Sequence, residues 1–205
     1  EIFALIHKRH LNGASLFDNK TVRLIYGDVN DLFTVQDIIP QVDAVCHLAA
    51  YIPPSYNEAS CVETCLKTNS LAVLNLAQLI VKNASCRLIY LSSASAYGFS
   101  DTIVKENDPL YPADYATYYL ASKLAGELFV EHMRRTSNLN AVCLRVSSVY
   151  GWGMLKKAVV AKFMDSACNG HAIEVWGDGV NTYDFVYVLD VVGAIRATTN
   201  VTLGN

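Results

Sequence analysis

Tyr119 and Lys123, in the run Tyr119-Leu120-Ala121-Ser122-Lys123, stand four residues apart in a segment whose pattern reads as helix. Both side chains then project from one face, a turn apart. An ammonium beside a phenol favours the phenolate, which draws down a group that ordinarily titrates near ~10. Such a pair can pass a proton to or from a substrate oxygen near neutral pH. The spacing alone is common in a chain with twelve tyrosines. Its meaning depends on the elements that position it.

Those elements alternate. Ile2–Ile6, Val22–Tyr26, Ala44–Leu48, Arg87–Ser92 and Ala141–Val146 are expected as strands. Helical patterns fall between them: a short one near Leu32–Ile39, a long one over Glu58–Val81, and the one carrying Tyr119 over Asp114–Arg135. A helix near Leu155–Asn169, short strands at Ile173–Val175 and Phe185–Tyr187, and a helix near Asp190–Thr199 complete the reading. The strands are continuous Val/Ile/Leu-rich runs, as expected when helices cover both faces of a sheet. Repeated strand–helix units predict an α/β fold with a doubly wound parallel sheet, and ligands bind such sheets beyond the carboxyl ends of the strands.

The residues just after each strand are therefore the informative ones. Gly27-Asp28-Val29 follows the second strand. Its Asp suits either an adenine amino group, with Val29 on the ring, or the cap of the next helix. His47-Leu48-Ala49-Ala50 follows the third, where small residues permit either close approach to a ligand or tight strand–helix packing. Leu91-Ser92-Ser93-Ala94-Ser95-Ala96-Tyr97-Gly98 ends the fourth with hydroxyls that a core position does not explain, and Arg145-Val146-Ser147-Ser148-Val149-Tyr150-Gly151 is similarly polar.

These pieces, in this order, resemble the extended short-chain dehydrogenase/reductases, the NAD-dependent epimerases and dehydratases that act largely on nucleotide sugars. Asn69, Tyr119…Lys123, Leu144-Arg145…Val149-Tyr150-Gly151, Val175-Trp176-Gly177-Asp178-Gly179 and Asp184-Phe185-Val186-Tyr187-Val188-Leu189-Asp190-Val191 extend the likeness over nearly the whole chain. The resemblance implies a Rossmann-type dinucleotide-binding domain over 1–150 and part of a small substrate lobe over 151–205. It implies Tyr119 as the acid/base, Lys123 as the group that lowers its pKa and bonds the nicotinamide ribose, and Ser93 as the residue that orients the substrate oxygen. Asp28 and Val29 would meet adenine. Leu48, Ala49, Ala50, Asn69, Val146 and Ser148 would line or support the cofactor, and Ser95 and Tyr183 would face substrate. Tyr118 is a decoy, since Ser122 stands at its +4 position.

The chain departs from the family pattern in three places. The family's first strand and glycine-rich turn are missing from the sequence, which opens on Glu1-Ile2-Phe3; that strand would lie between those starting at Ile2 and Ala44 and leave two open edges. His7-Lys8-Arg9 follows the first run where NAD-preferring members carry an acid, so Lys8 and Arg9 favour NADP over NAD by pairing with a 2′-phosphate. Tyr183 stands where many nucleotide-sugar members have Arg, and Ser148 where many have Asn, which opens the way to other alcohol or carbonyl substrates. The function implied is hydride transfer between nicotinamide and a sugar nucleotide or other alcohol. The alternative is a catalytically silent dinucleotide-binding or scaffold relative.

Bulk properties narrow the class. A net charge of −3 with 17% charged residues argues against nucleic acid or an anionic membrane as partner, and 52% apolar residues support a large core. No run approaches the ~20 residues of a membrane span. Six scattered cysteines read as reduced thiols, and no leader is apparent, so the expected setting is cytoplasmic. The resemblance implies a small-molecule substrate and allows the homodimer that is common in that family. Cys61 and Cys65 share a helical face but lack a second ligand pair, so no metal is expected.

Overall fold

Branched and aromatic residues form the strands, and in the computed structural model these are parallel as the patterns require. The structure describes residues 1–7, 21–54, 59–82, 86–100, 102–110, 116–154 and 158–200. Strands β1 (Ile2–Ile6) and β2 (Val22–Tyr26) pair in parallel, Ile2 opposite Val22 and Ile6 opposite Tyr26. A second sheet has the order β3 (Ala44–His47), β4 (Arg87–Ser93), β5 (Ala141–Val146), with β3 parallel to β4 and His47 opposite Tyr90. Among the described residues no strand joins β1 to β3. Two compact units divide the chain, residues 1–145 and 146–205.

In the first unit β4 runs through the core, with Arg87 to Tyr90 all buried. Helix α1 (Val62–Cys65) leads through a wide π-helical stretch, Leu66–Leu71, into α2 (Ala72–Val81). Val73, Leu76, Ala77 and Ile80 form the buried stripe of α2, at the spacing of one helix face. Each large member of that stripe contributes about 1.5–3 kcal/mol by leaving water. It packs with Leu88 and Tyr90 of β4 and with Val130 and Met133 of α3 (Tyr118–Thr136). Thr117 caps α3 by accepting from the Leu120 N–H at 3.0 Å, and Arg134 and Arg135 close its last turn, where cations suit the helix dipole.

The second unit holds β6 (Ser148–Tyr150) and β7 (Phe185–Tyr187), parallel to each other, with α4 (Val159–Cys168) and α5 (Val188–Asn200). Ile173–Val175 is not a strand; it has no pairing partner among the described residues, and both Ile173 and Val175 are exposed. The expected short helix near Leu32–Ile39 is instead two 3-10 turns, Leu32–Thr34 and Ile39–Gln41, the second with Pro40 in its first turn, where no N–H is needed. Among the described residues no helix is long and apolar enough to cross a membrane.

Candidate active site

The carboxyl end of β4 carries the hydroxyls. Ser93 is its last residue and caps the 3-10 turn Ala94–Tyr97, its Oγ accepting from the Ser95 N–H at 3.3 Å. That bond uses the oxygen as acceptor and leaves the hydroxyl proton for a ligand. Ser95 is half-buried, and its carbonyl accepts from Gly98 N–H at 3.1 Å.

Helix α3 brings up the pair. Tyr119 lies half-buried in its first turn, and Lys123 lies buried one turn on. The Lys123 Nζ donates to the Leu91 carbonyl and sits over the Tyr90 ring, 4.4 Å from its centre. Burial draws the Lys123 pKa down to about 8, while Cys143 and Glu127 push it back up. The side chain is thus an ammonium at neutral pH, as a partner that favours a phenolate must be.

The π-helical stretch locks this helix to the segment after β3. The Asn69 Oδ1 accepts from Tyr51 N–H at 2.7 Å, and its Nδ2 donates to the Tyr51 carbonyl at 3.0 Å and to Ser122 Oγ at 2.9 Å. Ser122 Oγ donates to the Tyr119 carbonyl at 2.7 Å, and Ser70 Oγ to the Ser122 carbonyl at 2.7 Å. Successive residues 69 and 70 both reach α3. The side chain of Asn69 is buried within these bonds, next to the segment after β3 that it grips through Tyr51.

Leu48, Ala49 and Ala50 lie exposed beyond β3, and at Ala49 and Ala50 a single methyl covers that backbone. After β2, Asp28 and Val29 are half-buried. Asp28 Oδ1 accepts from the Asn30 N–H at 2.9 Å and from Asn30 Nδ2 at 2.8 Å, and His7 Nε2 lies 3.6 Å from Oδ2. The Asn30 bonds, backbone first, and then His7 hold its carboxyl below the ordinary range. Asp31 caps the 3-10 turn Leu32–Thr34, accepting from Phe33 N–H at 3.1 Å, while Asp28 closes the tighter turn before it, its carbonyl accepting from Asp31 N–H at 2.9 Å.

Other expected residues lie elsewhere. Lys8 and Arg9 fall outside the described residues. Val146 ends β5, and the Ser148 N–H donates to the Asp184 carbonyl at 3.2 Å as β6 pairs with β7. Tyr183 is 67% exposed, its ring 6.0 Å from that of Phe185 in the same unit. Among the described residues no group of three His, Cys, Asp or Glu could hold a metal, and none of the six cysteines forms a disulfide.

Three features had no assigned role in the sequence reading. Arg145 donates to Glu127 Oε1 from Nε at 2.8 Å and Nη2 at 2.6 Å, and from Nη1 to Tyr97 Oη at 2.6 Å and the Glu106 carbonyl at 2.9 Å. These bonds raise the Arg145 pKa further, Glu127 most. The signal was Glu127 at +4 from Lys123 on the same helical face. Gly126 permits contact, since a Cβ there would come within 2.7 Å of both the Asn69 carbonyl and Tyr90 Oη. His47 is buried against Tyr90, ring centres 5.7 Å apart, with neither ring nitrogen hydrogen-bonded among the described residues.

Comparison with known proteins places this geometry in a class. The family model described as the NAD dependent epimerase/dehydratase family matches residues 4–201, and the chain belongs to that family. A low-salt glycan biosynthesis protein of Haloferax volcanii is 28% identical over 187 residues, 90% of this chain and 58% of that protein. A dTDP-glucose 4,6-dehydratase of Streptomyces niveus is 27% identical over 190 residues, 91% of this chain and 54% of that protein. The fold matches UDP-glucuronic acid 4-epimerase from Bacillus cereus, solved with UDP-glucuronic acid and NAD, at a TM-score of 0.80 and 22% identity, over 93% of this chain and 60% of that one. The chain thus spans little more than half the length of the curated relatives it matches.

Proposed function

We propose that the whole protein is a nicotinamide-dependent enzyme acting on a nucleotide sugar, an epimerase, dehydratase or reductase, with Tyr119 as its acid/base. The observation that carries this reading is the buried Lys123 ammonium one helical turn from Tyr119, beside a β4 end that presents Ser93.

The residues present suit a dinucleotide. The exposed Ala49 and Ala50 leave backbone open at a strand's carboxyl end, and the Asp28 carboxylate can accept from an adenine amino group. Bound, the nicotinamide supplies the centre that takes up or returns a hydride. The protein's part is the proton. Tyr119, as phenolate, accepts the proton of a substrate hydroxyl while the carbon bearing it becomes a carbonyl, and returns that proton in the reverse direction. Ser93 donates to the same oxygen and fixes its position. Lys123 favours the phenolate by its charge and is the donor for the ribose. Asn69 acts at one remove, through Tyr51 and Ser122. Ser95, Val146, Ser148 and Tyr183 complete the proposed contacts to substrate and cofactor.

Lys8 and Arg9 support NADP, although the Bacillus cereus neighbour was solved with NAD. Exposed Leu66, Leu71 and Leu128 on the helices support a homodimer. The test is to titrate the whole protein with NADH and NADPH and to follow dTDP-glucose and UDP-glucuronic acid with each cofactor by NMR. Conversion of either sugar nucleotide supports the reading. Dinucleotide binding with no conversion would favour the silent relative, and no binding of either cofactor would overturn both.

A further inference from the structure

Tyr90 of β4 is fully buried, and its hydroxyl reaches the helix that carries the acid/base pair. Its hydroxyl donates to the Lys123 carbonyl of α3 at 2.9 Å and lies 3.2 Å from the Asn69 carbonyl of the π-helical stretch. Gly126 makes room for that hydroxyl, since any side chain there would collide with it. The ring has a second role. The Lys123 Nζ lies over its face at 4.4 Å, within the ~6 Å over which an aromatic quadrupole attracts a cation. Apart from that face, the ammonium has the Leu91 carbonyl as its hydrogen-bond acceptor.

We propose that Tyr90 is a positioning residue for the acid/base pair: its ring seats the Lys123 ammonium and keeps it charged, while its hydroxyl sets α3 against the π-helical stretch. This rests on the reading of Tyr119 and Lys123 given above. The other titratable groups around the ammonium are His47 from β3, Cys143 from β5 and Glu127 from α3, the last bonded to Arg145 of β5, while Tyr119 of α3 lies near Tyr90. Burial first and the Lys123 charge second draw the His47 pKa to about 4, so at neutral pH the imidazole carries no charge against the ammonium. No carboxylate bonds the ammonium directly among the described residues, so the ring face carries a share of the attraction that a carboxylate commonly supplies.

The test separates ring from hydroxyl. Tyr90→Phe keeps the face and removes the hydroxyl; replacing Tyr90 with mono-, di- and trifluorinated phenylalanines then weakens the face at nearly constant shape. The Lys123 Cε resonance, assigned by its loss in Lys123→Arg, is titrated in each protein. The midpoint should hold in Tyr90→Phe and fall stepwise with fluorine, by about half a pH unit to one and a half in all. A flat series, or a fall complete at Tyr90→Phe, would overturn the ring's role. The alkaline limb of kcat for dTDP-glucose or UDP-glucuronic acid, whichever is converted, should move down in the same order. If it stays put while the titration moves, Tyr90 does not position the reaction. The titration needs no turnover, so a catalytically silent protein would count against the functional reading and still decide whether the ring holds Lys123.

Discussion

A charge taken out of water shifts its equilibrium toward the neutral form unless its surroundings repay the loss, and His47 and Lys123 show both sides of that rule. His47, 3% exposed, has no hydrogen-bond partner for either nitrogen among the described residues and is depressed to about 4 by burial first and Lys123 second. Its folded pKa lies below the ordinary 6.5, so the unfolded chain binds more protons between about 4 and 6.5. Stability should therefore rise with pH through that window and be lowest below it. Lys123 acts in the same direction at higher pH, its burden lifting between about 8 and 10.5. His47→Leu should remove the acid dependence, recovering about 3 kcal/mol at pH 4 in urea unfolding. A pH profile that keeps its acid slope in the variant would show that another group titrates there.

At the scale of elements, the contact between α3 and the π-helical stretch decides how the pair is held. Gly126→Ala would put a methyl 2.7 Å from the Asn69 carbonyl and Tyr90 Oη and 3.0 Å from Val73. Overpacking costs about 1–3 kcal/mol and helix propensity returns up to ~1, so a net loss of about 1–2 kcal/mol should appear as a lower urea midpoint. A variant as stable as the parent would mean that the two segments can part without penalty. Gly126 was legible as a glycine inside a good helical pattern. The wide turn was not, because the apolar stripe of α2 and the helical pattern before it join across Leu66–Leu71 without a break in composition. Hydrogen bonds from Asn69 and Ser70 to a helix more than fifty residues away accompany that turn, and periodicity does not report them. Similarly, β6 opens on Ser148 within a polar run and was read as a strand end, while the apolar character of Ile173–Val175 suggested a strand that has no partner among the described residues.

Over the molecule as a whole, the order of strands and the motifs at their ends were legible because each is local: β1 to β5 begin at the expected residues. What joins them was not. Arg145 of β5, Glu127 of α3, Tyr97 of the turn after β4 and the Glu106 carbonyl meet in one network that only the tertiary fold assembles. Glu127→Gln leaves the guanidinium without its carboxylate in a half-buried place. The expected cost is about 2–4 kcal/mol, read as a lower urea midpoint at unchanged m-value. A loss under ~0.5 kcal/mol would mean that water replaces the carboxylate without penalty.

The most direct measurement is turnover and cofactor binding by Tyr119→Phe in the whole protein, with the sugar nucleotide that the parent converts. Removing one hydroxyl should lower kcat by about 10²–10⁴-fold while the dinucleotide Kd stays within about threefold of the parent. Undiminished turnover would contradict the assignment of Tyr119 as the acid/base, and with it the account of the site built around Lys123.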